Sequence, residues 1–410
     1  MSCIKIPHIL VPCDEVDKTR WSVVACDQYT SQPHYWEDLS LVVGDSPSTL
    51  NLIFPEVYLE DEDAPERIAS IHNTMRSYLN GGMFVPLEDF VLVDRTLSDG
   101  KHRIGLMIAI DLEDYQYTAD NNALIKATEK TVVSRLPARM EIRKNACIEV
   151  PHIMLLMDDR DNHILGDLYA RRSSLRKIYD FELNMDGGHL CGYVADDSDR
   201  VREQIEGLLD PQVQTEKYGD ATHPILFAVG DGNHSLAAAK ECWEQIKSVL
   251  SVQEQHRHPA RYALCELVNL HDSSLVFRPI HRVIMGADEE FIPYLRSRLQ
   301  GPATLRVVWR EQEYELSVSA SASDAIADVQ KAIDDYMRAH RELEIDYIHG
   351  DDSLMQVARE KDGVAIFMPT IDKNTLFDYV RRRGVLPRKA FSMGNAQDKR
   401  YYYEAKKIKW

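Results

Sequence analysis

A chain of 410 residues with 44% hydrophobic and 28% charged residues falls in the ordinary globular range, which argues against wholesale disorder and against a membrane protein. Its formal net charge of −18, from 48 Lys+Arg against 66 Asp+Glu, argues against a nucleic-acid partner, because binding phosphates requires basic surface. The opening MSCIKIPHILVPC has too short an apolar run and too early a Pro7 for a secretory signal, and the 7 cysteines include no CxxC pair. The expectation is a cytoplasmic protein with reduced thiols and no membrane association, large enough for two or three domains at roughly 150 residues each.

Residues 1–118 read as a mixed α/β segment. It holds a wet aromatic stretch, ACDQYTSQPHYWEDL, and an amphipathic helix, ERIASIHNTMRSYLN, stopped by Gly81-Gly82. A hairpin follows, in which FVLVDRTLSDGKHRIGLMIAIDL alternates apolar positions on each side of Ser98-Asp99-Gly100. From 119 to 288 the pattern is α/β. ATEKTVVSRLPARMEIRKNA reads as helix around Pro137, HIMLLMD as a continuous apolar strand, and SDRVREQIEGLLD as an amphipathic helix. PILFAVGDGNHSLAAAKECWEQIKSVL is then strand, turn and helix, and RYALCELVNL and LVFRPIHRVIM add two strands. Residues 289–410 alternate helices (EEFIPYLRSRL, SDAIADVQKAIDDYMRAH) with strands (ATLRVVWR, GVAIFMP), which makes a C-terminal α/β lobe. The fold class expected is α/β in the mixed α+β sense, and no internal repeat is visible.

The turn GDGNHS carries the densest chemistry. Gly230 and Gly232 permit tight backbone geometry where a helix N-terminus offers N–H groups to an anion. Asp231 there suits a magnesium ligand or an acid/base, and His234 a phosphate contact; the alternative is that Asp231 and Asn233 cap the helix and His234 packs. In IKATEKTVVSRLPARM, Glu129 lies between Thr128 and Lys130, with Arg135 and Arg139 downstream. Such a carboxylate among cations suits a base beside a charged phosphate donor, although composition alone favours a surface helix with ordinary ion pairs. Arg278, His281 and Arg282 interrupt an apolar strand, so a buried carboxylate or a bound anion is implied. Asp27, Gln28 and Tyr29 suit a small substrate's amine and carboxylate, or the chemistry of a turn. The terminal LPRKAFSMGNAQDKRYYYEA gathers Lys389, Ser392, Asn395 and Lys399 around Gly394.

Taken in order, ACDQYTSQPHYWE, IKATEKTVVSRL, GDGNHSLAAA, RPIHRV and LPRKAFSMGNAQDKRYYYEA resemble domain-of-unknown-function family 1015 across nearly the whole chain. The acidic segment followed by the strand–turn–helix also resembles the ParB/sulfiredoxin-like fold and its free-serine kinases. That resemblance implies a ParB-like catalytic core over 119–288 flanked by the two other α/β segments. It also implies a phosphotransferase, with free L-serine the leading acceptor and a nucleotide or pyrophosphate the donor.

Carried over by motif, Glu129 is the base, Asp231 a metal or phosphate-site acid, and His234 a phosphate contact. Gly230, Gly232, Asn233 and Ser235 line the donor site with Arg135, Arg139, His281 and Arg282. Asp27, Gln28, Tyr29, Thr128 and Lys130 lie toward the acceptor. Mg²⁺ accompanies the donor, the partners are small molecules, and a homo-oligomer is compatible with the pattern. The alternative reading is a non-catalytic nucleotide-binding regulatory protein of ParB-like fold.

Three positions depart from the family pattern. Thr128 stands where a His is usual, Asn233 replaces the first His of the turn, and Ser235 replaces its Arg. The last change removes a bidentate phosphate donor, for which Arg282, Arg135 and Arg139 are the possible substitutes.

Overall fold

The computed structural model describes residues 2–119, 122–133 and 136–410. It is a mixed α/β structure in two compact units. The first comprises Met1–Ala127, Thr131–Leu275 and Gly394–Trp410; the second comprises Thr128–Lys130 and Val276–Met393. Among the described residues no helix is long and apolar enough to cross a membrane.

The first unit is built on a mixed sheet. Strands Arg176–Glu182, His189–Val194, Val91–Thr96, His102–Asp111, Tyr262–Asn269, Met154–Met157, Phe227–Asp231, Ile125–Ala127 and Tyr115–Gln116 lie side by side in that order, and Ile4–Lys5 pairs with His102–Asp111. The central strands are fully apolar because both faces are covered: all of Met154–Met157 is buried, as are Phe227, Ala228 and Val229. The hairpin turns at Ser98-Asp99-Gly100 as its pattern predicts, with Gly100 at φ +81° and Leu97 N–H donating to Lys101 O. A smaller sheet joins Phe84–Glu88, His8–Pro12, Ala405–Lys407 and Ile148–Glu149, so the chain's last residues return to the first unit.

Strand Phe227–Asp231 and helix Asn233–Lys247 realise the strand–turn–helix reading. Asp231 pairs in register with Met154, and Gly232 turns the chain at φ +80°. Ala237 and Ala238 then pack with Leu136 of helix Leu136–Asn145, where short side chains let the two helices approach.

Two expectations are corrected. The helix read over ATEKTVVSRLPARMEIRKNA begins only at Leu136, because Pro137 lacks an N–H and starts a helix rather than sitting inside one. Thr128, Glu129 and Lys130 are therefore not helical; Glu129 forms an isolated parallel bridge to Leu386. Arg135 lies outside the described residues. The three-segment division at 118 and 288 also differs from the two units. Tyr262–Asn269 pairs antiparallel with His102–Asp111 and parallel with Met154–Met157, so one sheet runs through the expected boundary at 118.

The second unit is an antiparallel sheet in the order Gln312–Val318, Ala303–Trp309, Val364–Ile366, Phe277–Met285, Glu344–His349, with Phe391–Met393 also on Phe277–Met285. Helix Asp351–Glu360 buries Leu354 and Ala358 against Val283, Val308 and Ala365.

Candidate functional site

The first turn of helix Asn233–Lys247 is the centre of a polar cluster in the first unit. No side chain caps the helix at Gly232, so the capping roles open to Asp231 and Asn233 are not what they do. Asp231 instead accepts from Gly232 N–H at 2.8 Å and pairs with Lys399 Nζ at 3.2 Å. Asn233 Oδ1 is buried without a hydrogen-bond partner among the described residues. His234 Nε2 accepts from Val132 N–H at 3.1 Å, which engages that nitrogen as an acceptor.

Ser235 receives an arginine from elsewhere in the unit. Arg139 Nη1 donates to Ser235 Oγ at 2.5 Å, while its Nη2 reaches Glu56 Oε1 at 2.5 Å and Asp27 Oδ2 at 3.5 Å. The guanidinium thus enters the turn from helix Leu136–Asn145 rather than from the turn itself. His152 Nε2 lies 2.9 Å from Ser235 Oγ on the other side. Gln28 Nε2 donates to Asp27 Oδ1 at 2.9 Å, and Tyr29, at φ +51°, stacks on Tyr35 with centroids 3.9 Å apart.

The electrostatics follow from burial and from these partners. Burial alone pushes the Asp27 carboxyl up, but His152, Arg139, the Gln28 hydrogen bond and Lys399 outweigh it and hold Asp27 well below the usual carboxylate range. Burial pushes the His152 imidazolium down against the opposing pull of Asp27, so the ring is neutral near pH 7. The Cys26 thiol is pushed up to about 12 by burial and stays protonated, which makes it unreactive. Arg139, His152, Ser235, Cys26 and Tyr401 form the polar end of a cavity of about 120 Å³ whose remaining wall includes Ile53, Phe54, Met75 and Ile142.

The other residues singled out from sequence belong to the second unit. Glu129 accepts from the backbone N–H groups of Lys389 (3.2 Å), Ala390 (3.0 Å) and Phe391 (3.5 Å). Its pKa is raised by burial, against the lowering pull of Lys389 and these N–H groups. Arg282 donates to Gln330 Oε1 at 3.0 Å and Lys389 O at 3.0 Å, and also bonds Ile280 O. His281 meets Asp351 at 3.0 Å and accepts from Met368 N–H at 3.0 Å. The choice left open for this strand resolves for His281 as a carboxylate partner. Buried Thr128 accepts from Leu386 N–H at 2.7 Å, and exposed Lys130 donates its N–H to Leu386 O at 2.8 Å.

Within the first unit, then, Asp27, Gln28, Arg139, Asp231 and Ser235 share one cluster. Glu56 and His152 are members that sequence reasoning missed. Glu56 opens the short 3-10 turn Glu56–Tyr58, too brief to leave a periodic signal, and His152 is a lone imidazole at the head of an apolar strand, a position that usually means packing.

For a metal the donor set is sparse. Among the described residues no group of three or more His, Cys, Asp or Glu side chains is arranged to hold one, and Asp231 is already paired with Lys399. The cluster does not fit a resident metal ion.

The first unit thus brings an uncapped helix start together with two cations, Arg139 and Lys399, and three carboxylates, Asp27, Glu56 and Asp231. The chain belongs to the family described as protein of unknown function (DUF1015), whose model matches residues 10–362. Among solved structures it is similar to a conserved hypothetical protein from Pyrococcus furiosus, at 11% identity and a TM-score of 0.37 over 70% of this chain and 90% of that one. It is also similar to a free serine kinase variant in complex with ADP, at 10% identity and a TM-score of 0.41 over 74% and 92%. A third is C-terminally truncated SbnI from Staphylococcus aureus, at 7% identity and a TM-score of 0.38 over 70% and 82%. No curated protein matches.

Proposed function

We propose that this protein is a phosphotransferase that moves a phosphoryl group from a nucleotide or pyrophosphate to the hydroxyl of a small metabolite, with free L-serine as the first acceptor to test. The observation that carries the reading is the entry of Arg139 into the 230–235 turn at Ser235, which restores a guanidinium where the family motif has lost one. Phosphoryl transfer asks little covalent chemistry of a protein. It needs the donor's charge neutralised and the acceptor hydroxyl held in line.

In this reading the uncapped first turn of helix Asn233–Lys247, Arg139 and Lys399 meet the donor phosphates. Magnesium arrives with the donor as part of the substrate, and Asp231 is the carboxylate that meets it, since Mg²⁺ is commonly held by one or two carboxylates plus phosphate oxygens. Asp27, kept ionised, and Gln28 meet the acceptor's ammonium group.

The test is a matrix of amino acids against ATP, ADP and pyrophosphate with Mg²⁺, read by phosphorus NMR. Phosphoserine is the expected product, and Arg139→Met and Asp231→Asn should each lower its formation by about 10² or more. A matrix without any phosphorylated acceptor, or an Asp231→Asn variant that turns over like the parent, rejects the assignment.

A further inference from the structure

A second polar cluster, distinct in its residues from the one above, lies in the core of the first unit. Arg95 of strand Val91–Thr96 stands opposite Arg103 of strand His102–Asp111, and Arg400 comes from the returning C-terminal segment. All three are almost completely buried, at 2%, 5% and 2% exposure. The partners they do have leave much of each guanidinium unmet. Arg103 Nη2 donates to Glu266 Oε2 at 2.8 Å, and Arg400 Nη2 donates to Ser22 O at 3.0 Å and to Asn184 Oδ1. Nε and Nη2 of Arg95, Nε of Arg103, and Nε and Nη1 of Arg400 have no hydrogen-bond partner among the described residues.

The neighbouring carboxylates are only partly engaged with other groups, and Glu266 Oε1 has no hydrogen-bond partner among the described residues. Glu266 Oε2 also accepts from Tyr402 Oη at 2.7 Å, and Asp398 accepts from Ser98 N–H at 2.9 Å and from its hydroxyl at 3.1 Å. The backbone is shaped around the arginines as well. A Cβ on Gly187 would lie 2.5 Å from Arg400 Nη1, and one on Gly188 would lie 2.1 Å from Thr96 O, next to Arg95. The Gly187-Gly188 turn therefore packs directly on Arg400 at one residue and on the Thr96 backbone at the other, a close approach that only glycines permit. The partly buried Tyr35 hydroxyl lies beside the Arg400 guanidinium and interacts with it.

Buried N–H groups on cations are costly to leave unmet, and three guanidiniums that repel one another compound the cost. We infer that Arg95 and Arg400 hold a small oxyanion, a carboxylate or a phosphate group, in a site separate from the 230–235 turn. Burial, with Arg103 and Arg400 adding to it, presses the Arg95 guanidinium down to about 9, a strain that an adjoining anion relieves. The inference is independent of the phosphotransferase reading.

The experiment uses the full chain and compares it with Arg95→Met. Without an anion, replacing a buried unpaired cation by an apolar side chain of similar length is neutral or stabilising, so this variant should fold. At constant ionic strength balanced with chloride, inorganic phosphate or acetate should raise the melting midpoint of the parent saturably by a few degrees. Arg95→Met should show no such rise, and whichever probe acts at lower concentration identifies the class of oxyanion. In crystals of the parent soaked in selenate, an anomalous peak should lie within hydrogen-bond distance of both Arg95 and Arg400. A rise shared equally by Arg95→Met, a parent indifferent to both probes, or a selenate map empty at these two arginines overturns the inference. If Arg95→Met fails to fold, the selenate map decides alone.

Discussion

Removing the guanidinium of Arg139 should be the most damaging single change at the candidate site. Its side chain is 12% exposed, and its carboxylate partners Glu56 and Asp27 are 14% and 25% exposed, so the group is largely withdrawn from water. Arg139→Met deletes the bonds to Glu56 and Ser235 at 2.5 Å and the contact to Asp27 at 3.5 Å, while keeping the length of the side chain. Breaking a buried ion pair by removing one partner costs about 3–5 kcal/mol. Asp27 keeps the pull of Lys399 and the Gln28 hydrogen bond, so the lower end, about 3 kcal/mol, is expected in urea unfolding followed by tryptophan fluorescence.

The double variant Arg139→Met, Glu56→Gln should recover part of the loss, because the second change removes the stranded carboxylate; a coupling of about 1–2 kcal/mol fits groups in direct contact. Asp27 supplies a second readout. Its depressed pKa contributes stability that is present above the unfolded value near 3.8 and is lost as pH falls through the folded pKa. With Arg139 gone the depression shrinks, so acid unfolding should begin at higher pH in the variant. A single variant within about 0.5 kcal/mol of the parent, or a cycle without coupling, would show that Arg139 is solvated rather than holding the cluster together.

Three further outcomes follow from other buried features. Burial lifts Glu404 to about 7, with Tyr179 donating to it at 2.7 Å; a raised carboxylate binds its proton preferentially in the folded state, so this contribution is fully present below about 4.5 and fades as pH rises toward 7. Glu404→Gln should flatten that decline, and urea titrations at pH 5 and pH 8 would detect it. Gly232→Ala places a Cβ 3.0 Å from Ile153 Cγ1 and 3.1 Å from its Cα at φ +80°, and should cost about 1–2 kcal/mol in the same assay; an unchanged midpoint would contradict the requirement for glycine at this turn. Asp111 takes Arg261 Nε at 2.9 Å and Nη2 at 2.6 Å in a buried bidentate pair, so Asp111→Asn should lower stability by about 3 kcal/mol, whereas Arg20→Ala at the exposed pair with Asp17 should change it by less than about 1 kcal/mol.

Local pattern was sufficient for the parts of the fold that local forces determine. The Ser98-Asp99-Gly100 hairpin and the strand–turn–helix of 227–247 both formed where apolar alternation and glycine position predicted them. The same reasoning failed at 127–130 because helical composition outweighed the stop implied by Pro137. Long-range pairing left no trace in any window. Nothing in RYALCELVNL announces that it lies between the N-terminal hairpin and HIMLLMD, and that pairing is what fuses the first two expected segments. At the site, residues that were chemically conspicuous in their own stretch (Asp27, Arg139, Asp231, Ser235) could be singled out. His152 and Glu56 became visible only through what they touch.

The returning C-terminal segment shows how one short stretch serves two clusters. After the 3-10 turn Ala396–Asp398 the chain runs extended from Lys399, with Arg400 bridged antiparallel to Val24, so neighbouring side chains point to opposite faces. Lys399 and Tyr401 turn toward the 230–235 cluster, the first onto Asp231 and the second into the cavity wall beside Cys26. Asp398, Arg400 and Tyr402 turn the other way, onto Ser98, Asn184 and Glu266. A slip of one residue would exchange the two sets, putting Arg400 where Asp231 needs a slender ammonium and Lys399 where Gly187 packs on a flat guanidinium. The two clusters therefore specify the register of this segment jointly, and a change that weakens Asp231–Lys399 should loosen the arginine cluster as well.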